Sequence, residues 1–219
     1  DGRASLHDLY ATYLSLSEEY GWNLEIAYNQ QFPTQYGTIE LPILSFTSPA
    51  KGDSIYLLSG VHGEEPAGPN AIAKAVSILA EQGTYLPIIL IPLCNPAGYV
   101  RDWRYFDEYR NRDTGNSIGD SEHHILNPLN QRVPKKYLPS SVYAEKFTEY
   151  LIQKSLQHQG ILWIDIHEDT FLKDGGYIYT QGKKTDSDEV LELLSRLIQE
   201  GGLPLQQSGI TSFGETVDK

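Results

Sequence analysis

Ser54-Ile-Tyr-Leu-Leu-Ser-Gly-Val-His-Gly-Glu-Glu65 is the stretch from which the fold can be read. Its apolar part, 54–61, has the length and content of a buried strand. It breaks into Pro66-Ala-Gly-Pro69, and the spacing of Ile72, Val76 and Leu79 predicts a helix over 69–82. Pro69 suits the first turn of that helix and Gly83 its stop. A strand running into a turn and then a helix is the unit of an α/β protein.

The same alternation continues on both sides. Leu6, Leu9, Tyr10, Tyr13 and Leu14 recur at helical spacing, in a segment ending near Gly21, and a strand is expected at 41–46. Downstream, 86–93 is another apolar strand, closed by Asn95-Pro96. Residues 99–140 are polar and aperiodic, longer than an ordinary connection, which marks a functional loop. A helix at 142–157, a strand at 161–166, a hairpin-like piece at 176–180 and a helix at 188–199 follow. Strands apolar on both faces, alternating with helices, predict an α/β fold: a mixed, largely parallel sheet with helices on both faces. The expectation is one domain spanning 1–219.

Composition narrows the function classes. A net charge of -12 argues against a nucleic-acid partner, which would ask for a basic face. One cysteine, Cys94, excludes an internal disulfide and fits a reducing compartment. No apolar run is long enough to span a bilayer, and the acidic, amphipathic opening segment does not read as a signal peptide. A cytoplasmic protein without membrane contact is expected. The sequence holds no methionine, even at its first position, so the 219 residues are expected to be a trimmed chain or one with residues omitted.

In parallel sheets ligands gather beyond the carboxyl ends of strands. His62, Asn95 and His167 each follow such an end. His62 and Glu65 stand at i and i+3 on a turn entering a helix, a spacing that lets both side chains face one way. A His-x-x-Glu pair is common by chance. With His167 it makes a His₂Glu set, three ligands with a fourth position open, as catalytic zinc sites require. Asp165 lies on the same strand face as His167. It is either the acceptor of the second ring proton of a zinc-bound His167 or an ordinary strand-end polar residue. Arg101, Arg104, Arg110 and Arg112 cluster in an acidic chain, where they either bind a carboxylate or oxyanion or pair with Asp102, Asp107, Glu108 and Asp113. Glu64 and Glu168 adjoin the candidate ligands without being aimed at a metal, and His123, His124 and His158 read as surface residues. Cys94 reads as a small buried hydrophobe. No Gly-x-Ser-x-Gly elbow is present.

Taken together, His62-Gly-Glu-Glu65, Asn95-Pro-Ala-Gly98, Arg104-Tyr105, Asn111-Arg112 and Asp165-Ile-His167 resemble the motifs of the zinc carboxypeptidase superfamily, including its aspartoacylase and succinylglutamate desuccinylase branch. The resemblance covers about residues 54–170. It implies one Zn²⁺ ion on His62, Glu65 and His167, Arg104 polarising the scissile carbonyl, and Asn111 and Arg112 gripping the substrate carboxylate. Arg110 is a competing match from the carboxypeptidase branch. The implied activity is hydrolysis of an amide bond next to a free carboxylate in a small peptide. An N-acyl-amino-acid deacylase is the alternative, and a catalytically inactive carboxylate-binding relative is the alternative of another class. The family also uses a general-base glutamate from a later strand, at a position beyond Lys219. Glu215 is the only late candidate within the chain, in a loop-like setting, so the chain is expected to be C-terminally incomplete.

Overall fold

The computed structural model describes residues 2–104, 142–168, 175–178, 184–205, 209–210 and 216–217. By its contacts the chain divides into two compact units, Asp1–Glu168 and Asp169–Lys219. The first holds α1 (Leu6–Glu18), β1 (Asn23–Thr34), β2 (Gly37–Thr47), β3 (Ser54–Ser59), α2 (Ala67–Lys74), α3 (Val76–Gln82), β4 (Ile88–Ile91), α4 (Pro96–Arg101), α5 (Val142–Gln157) and β5 (Gly160–Ile166). The described part of the second holds α6 (Lys184–Glu200) and the short strands β6 (Gly209–Ile210) and β7 (Thr216–Val217). Among the described residues, no helix is long and apolar enough to cross a membrane.

The strands of the first unit form one mixed sheet in the order β1-β2-β4-β3-β5. β3 is parallel to both β4 and β5, while β2 is antiparallel to β1 and β4. Successive side chains of a strand point to opposite faces, and β4 uses both. Ile88 and Leu90 join Leu9, Tyr13 and Leu16 of α1, Ile72 of α2, and Val76 and Ala80 of α3 on one side. Ile89 and Ile91 join Tyr56, Leu58, and Tyr143 and Phe147 of α5 on the other. Each such aliphatic side chain, fully buried, contributes about 1.5–3 kcal/mol, so both helical layers are held by apolar burial. The fold class expected from the sequence is the one observed.

Four details differ from expectation. β1 was not anticipated. It is an edge strand rich in Asn, Gln and Glu, and a bulge between Ile26 and Tyr28 breaks its alternation. The helix expected over 69–82 is two helices, meeting at Ala75, whose N–H is shared between the carbonyls of Ala71 and Ile72. Among the described residues the strand at 161–166 is not covered on both faces: β5 is the edge of the described sheet, and Ile161 and Trp163 are 63% and 47% exposed, Trp163 lying flat on Tyr56. The hairpin-like piece expected at 176–180 instead places Gly176 in a parallel bridge with Leu205, while 179–180 lie outside the described residues.

Candidate metal centre

β3 and β5 are parallel neighbours in register, Ser59 opposite Ile166, so the residues that follow each strand emerge side by side. After β3 the chain turns at Gly60, with φ of +61° and no room for a Cβ, which would lie 2.7 Å from the Leu93 side chain. That turn delivers His62 and Glu65, which are 2% and 6% exposed. After β5 comes His167, whose side chain is 39% exposed. The candidate ligand atoms of His62, Glu65 and His167 all lie within 4.8 Å of one another. Neighbouring strand ends, far apart in sequence, build the group.

Glu65 is its hub. Oε1 lies 2.7 Å from His62 Nδ1 and 3.0 Å from Arg104 Nη1. Oε2 lies 3.0 Å from His167 Nδ1 and accepts the backbone N–H of Glu168 at 3.1 Å. Burial by itself would raise the pKa of Glu65. The hydrogen bonds and charges of His167 and His62 outweigh it and hold the carboxyl well below the usual carboxylate range. Burial pushes the His167 imidazolium the other way, down, and its hydrogen bonds to Asp165 and Glu65 reverse this, raising it to about 10.

Asp165 Oδ2 is 3.0 Å from His167 Nε2, so the imidazole has a carboxylate at each nitrogen. Both histidines present Nδ1 to Glu65, and the second nitrogen of His167 is held from behind by Asp165. Two imidazoles and a carboxylate are the donor set of a catalytic zinc site, and their mutual spacing fits a single ion.

Arg104 Nη1 also reaches Glu64 Oε1 at 3.0 Å, so its guanidinium bridges Glu64 and Glu65 at the edge of the group. Its backbone is fixed as well. Arg104 O accepts from Gly63 N at 3.2 Å and from Asn95 Nδ2 at 3.2 Å. Asn95 is fully buried; its Oδ1 accepts from Gly98 N at 2.8 Å and caps α4. Arg110, Asn111, Arg112 and Glu215 lie outside the described residues.

Three residues at the site were set aside or unnoticed in the sequence. Glu64 pairs with Arg104. Glu168 Oε2 accepts from Ala67 N at 3.0 Å, at the N-terminus of α2, while its own N–H binds Glu65. Buried Gln30 of β1 spans Asn95 and Ala97, its Oε1 accepting from Ala97 N at 2.7 Å and its Nε2 lying 3.5 Å from Asn95 Oδ1. A glutamine among apolar inward positions was the one available signal for Gln30. Adjacency to a ligand was the signal for the two glutamates.

Residues 51–196 match the family model of the succinylglutamate desuccinylase/aspartoacylase catalytic domain. The fold is similar to that of a protein from Shewanella amazonensis SB2B proposed to be a metallopeptidase, at TM-score 0.66 and 18% identity over 93% of this chain and 70% of that one. It is similar to bovine thrombin-activatable fibrinolysis inhibitor, crystallised with tick carboxypeptidase inhibitor, at TM-score 0.59 and 13% identity over 93% and 75% of the two chains. A metallo-carboxypeptidase from Burkholderia cenocepacia gives TM-score 0.60 and 10% identity over 96% and 54%. No curated protein matches at the level of sequence.

Proposed function

The chain belongs to the succinylglutamate desuccinylase/aspartoacylase catalytic-domain family, and from that premise we propose that it is a zinc-dependent hydrolase of an amide bond next to a free carboxylate. The observation that carries the proposal is the His62, Glu65 and His167 group, closed to within 4.8 Å with a guanidinium at its edge. His62, Glu65 and His167 would hold one Zn²⁺ ion, which supplies Lewis acidity, acidifying water and polarising a carbonyl.

The chain's own residues orient the ligands and bind the substrate. Asp165, at His167 Nε2, would keep the second ring proton there, so that Nδ1 could serve as the ligand atom. Arg104 sets a positive charge beside the ligands, where negative charge develops on the carbonyl oxygen. Its pairing with Glu64 and the double hold on its carbonyl by Gly63 and Asn95 keep that charge in position. Asn111 and Arg112, with Arg110 as the competing choice, take the substrate carboxylate, for which a guanidinium fork is suited.

The family match over 51–196 supports N-acyl amino acids as substrates, and the likeness to carboxypeptidase folds supports small peptides. One experiment separates the readings. Metal-stripped protein of full natural length is reloaded with zinc, and release of free amino acid is compared between N-acyl amino acids and peptides with a free C-terminus. The expected result is uptake of one zinc ion and turnover of one substrate class, with both lost in His62→Ala. Binding of a carboxylate ligand without turnover would identify an inactive relative. Absence of zinc uptake would overturn the metal assignment itself.

A further inference from the structure

The segment before α1 is fastened to the site. Asn70 of α2 brackets it, donating from Nδ2 to Gly2 O at 2.9 Å and accepting from Ala4 N at 3.3 Å. Tyr99 of α4 donates its hydroxyl to Ala4 O at 2.9 Å. Between these anchors Arg3 turns inward over the Tyr99 ring, with its Cζ 4.6 Å from the centroid. Its Nη1 donates to Gly63 O at 2.8 Å and to Tyr99 O at 2.7 Å, and its Nη2 to Asp102 Oδ1 at 2.5 Å.

Gly63 is the residue between His62 and Glu64, and it has no slack. A Cβ there would lie 2.1 Å from Gly98 C and 2.4 Å from Trp103 O. Its N–H is held by Arg104 O and its carbonyl by Arg3. The backbone leading from His62 to Glu65 is therefore bound on both sides of Gly63, at the N–H of the His62–Gly63 peptide by Arg104 O and at the carbonyl of the Gly63–Glu64 peptide by Arg3.

We propose that Arg3 is a positioning residue for the metal centre: its guanidinium ties the Gly63 carbonyl to Tyr99 and Asp102, setting the His62–Glu65 turn in register with α4 and Arg104. This deepens the metal reading above and rests on it. A guanidinium suits the task because its planar fork serves several acceptors at once, which an ammonium on a flexible stem cannot do in the same geometry. Partners that orient ligands from behind typically govern metal affinity by factors of about 10–100.

The test uses the full chain with Arg3→Ala, Arg3→Lys and Asp102→Asn. Asparagine fits the left-handed backbone of Asp102, at φ of 58°, so the last variant loosens Arg3 without disturbing α4. Amide hydrogen exchange is followed in metal-free protein, and zinc release to a chelator in loaded protein. Arg3→Ala should speed exchange at the Gly63 amide about tenfold relative to β3 and β4, and speed zinc release about tenfold. Arg3→Lys should fall between it and the original chain, and Asp102→Asn should shift both readouts the same way by less. A merely structural role would accelerate exchange throughout the sheet and leave zinc release from folded protein unchanged, and that pattern overturns the proposal. If the original chain takes up no zinc, the metal reading fails, and exchange at Gly63 alone decides whether Arg3 holds the turn. If Arg3→Ala does not fold, unchanged exchange and release in Asp102→Asn overturn it.

Discussion

Glu65 accepts from Arg104 and the Glu168 amide and lies within hydrogen-bond distance of His62 and His167 while almost wholly buried, so the charge of the site rests on one carboxylate. Its negative charge is what a cation would meet, and the imidazoles that would share the cation are already turned to it through Nδ1. Asp165 tests whether the arrangement is built for metal. Asp165→Asn should weaken zinc binding by about 10–100-fold in a chelator competition. An unchanged affinity would reduce Asp165 to a strand-end polar residue. Gly63 tests how tightly the turn is packed. Gly63→Ala places a Cβ against the Gly98 backbone and should cost about 3 kcal/mol in urea denaturation, as overpacking of backbone does. At this scale much was legible: His62, Glu65 and His167 stand out in sequence because they follow apolar runs. Arg3 and Gln30 carry no motif. Their roles arise from contacts across long stretches of chain, Arg3 to Gly63 and Gln30 to Asn95 and Ala97.

Among the elements, the parallel pairing of β3 with β5 converts sequence-distant residues into a site, and Glu168 locks that pairing at its end. Its carboxylate caps the N-terminus of α2, and its amide binds Glu65. Glu168→Ala should therefore cost about 1 kcal/mol from the lost cap and dipole interaction. Glu168→Gln, which keeps an acceptor, should cost less. Thermal unfolding of the two variants at neutral pH measures the difference, and equal losses would show that the cap contributes nothing. The elements that were easiest to anticipate, β3 and β4, are those whose apolar content matches their burial. β1 escaped because Gln30 is buried and Ile26 is 56% exposed, the reverse of what hydropathy predicts. The break at Ala75 escaped because the inner-face spacing of Ile72 and Val76 runs straight through it.

For the first unit as a whole, α5 is joined to the sheet by an ion pair as well as by Tyr143 and Phe147. Lys154 Nζ, 2% exposed, lies 2.7 Å from Glu25 Oε2 on β1, and Tyr150 donates its hydroxyl to the same oxygen at 3.0 Å. Burial alone would raise Glu25, but the hydrogen bonds of Lys154 and Tyr150 outweigh it and lower its pKa from the ordinary 4.5. A carboxyl whose folded pKa is depressed contributes stability above its unfolded value and loses it as pH falls through the folded value. Glu25→Gln should therefore be less stable than the original chain by about 2 kcal/mol at neutral pH, an amount already reduced for the partial exposure of Glu25. The gap should close on acidification below about 4.5. Denaturant titrations across pH would show this, and a gap constant with pH would exclude the pair as its source. Adding Lys154→Met to Glu25→Gln should recover most of the loss, because no buried charge is then left alone. By itself the sequence determined the α/β class, the apolar strands and the order of the candidate ligands, because spacing and residue type are local properties. Only the tertiary structure decided that β5 lies beside β3 and not elsewhere, and that Arg104 bridges Glu64 and Glu65. It likewise placed Arg3 on the peptide between two site residues. Register and hydrogen bonding between distant segments are set by the packing of the whole sheet and its helices, which no local pattern encodes.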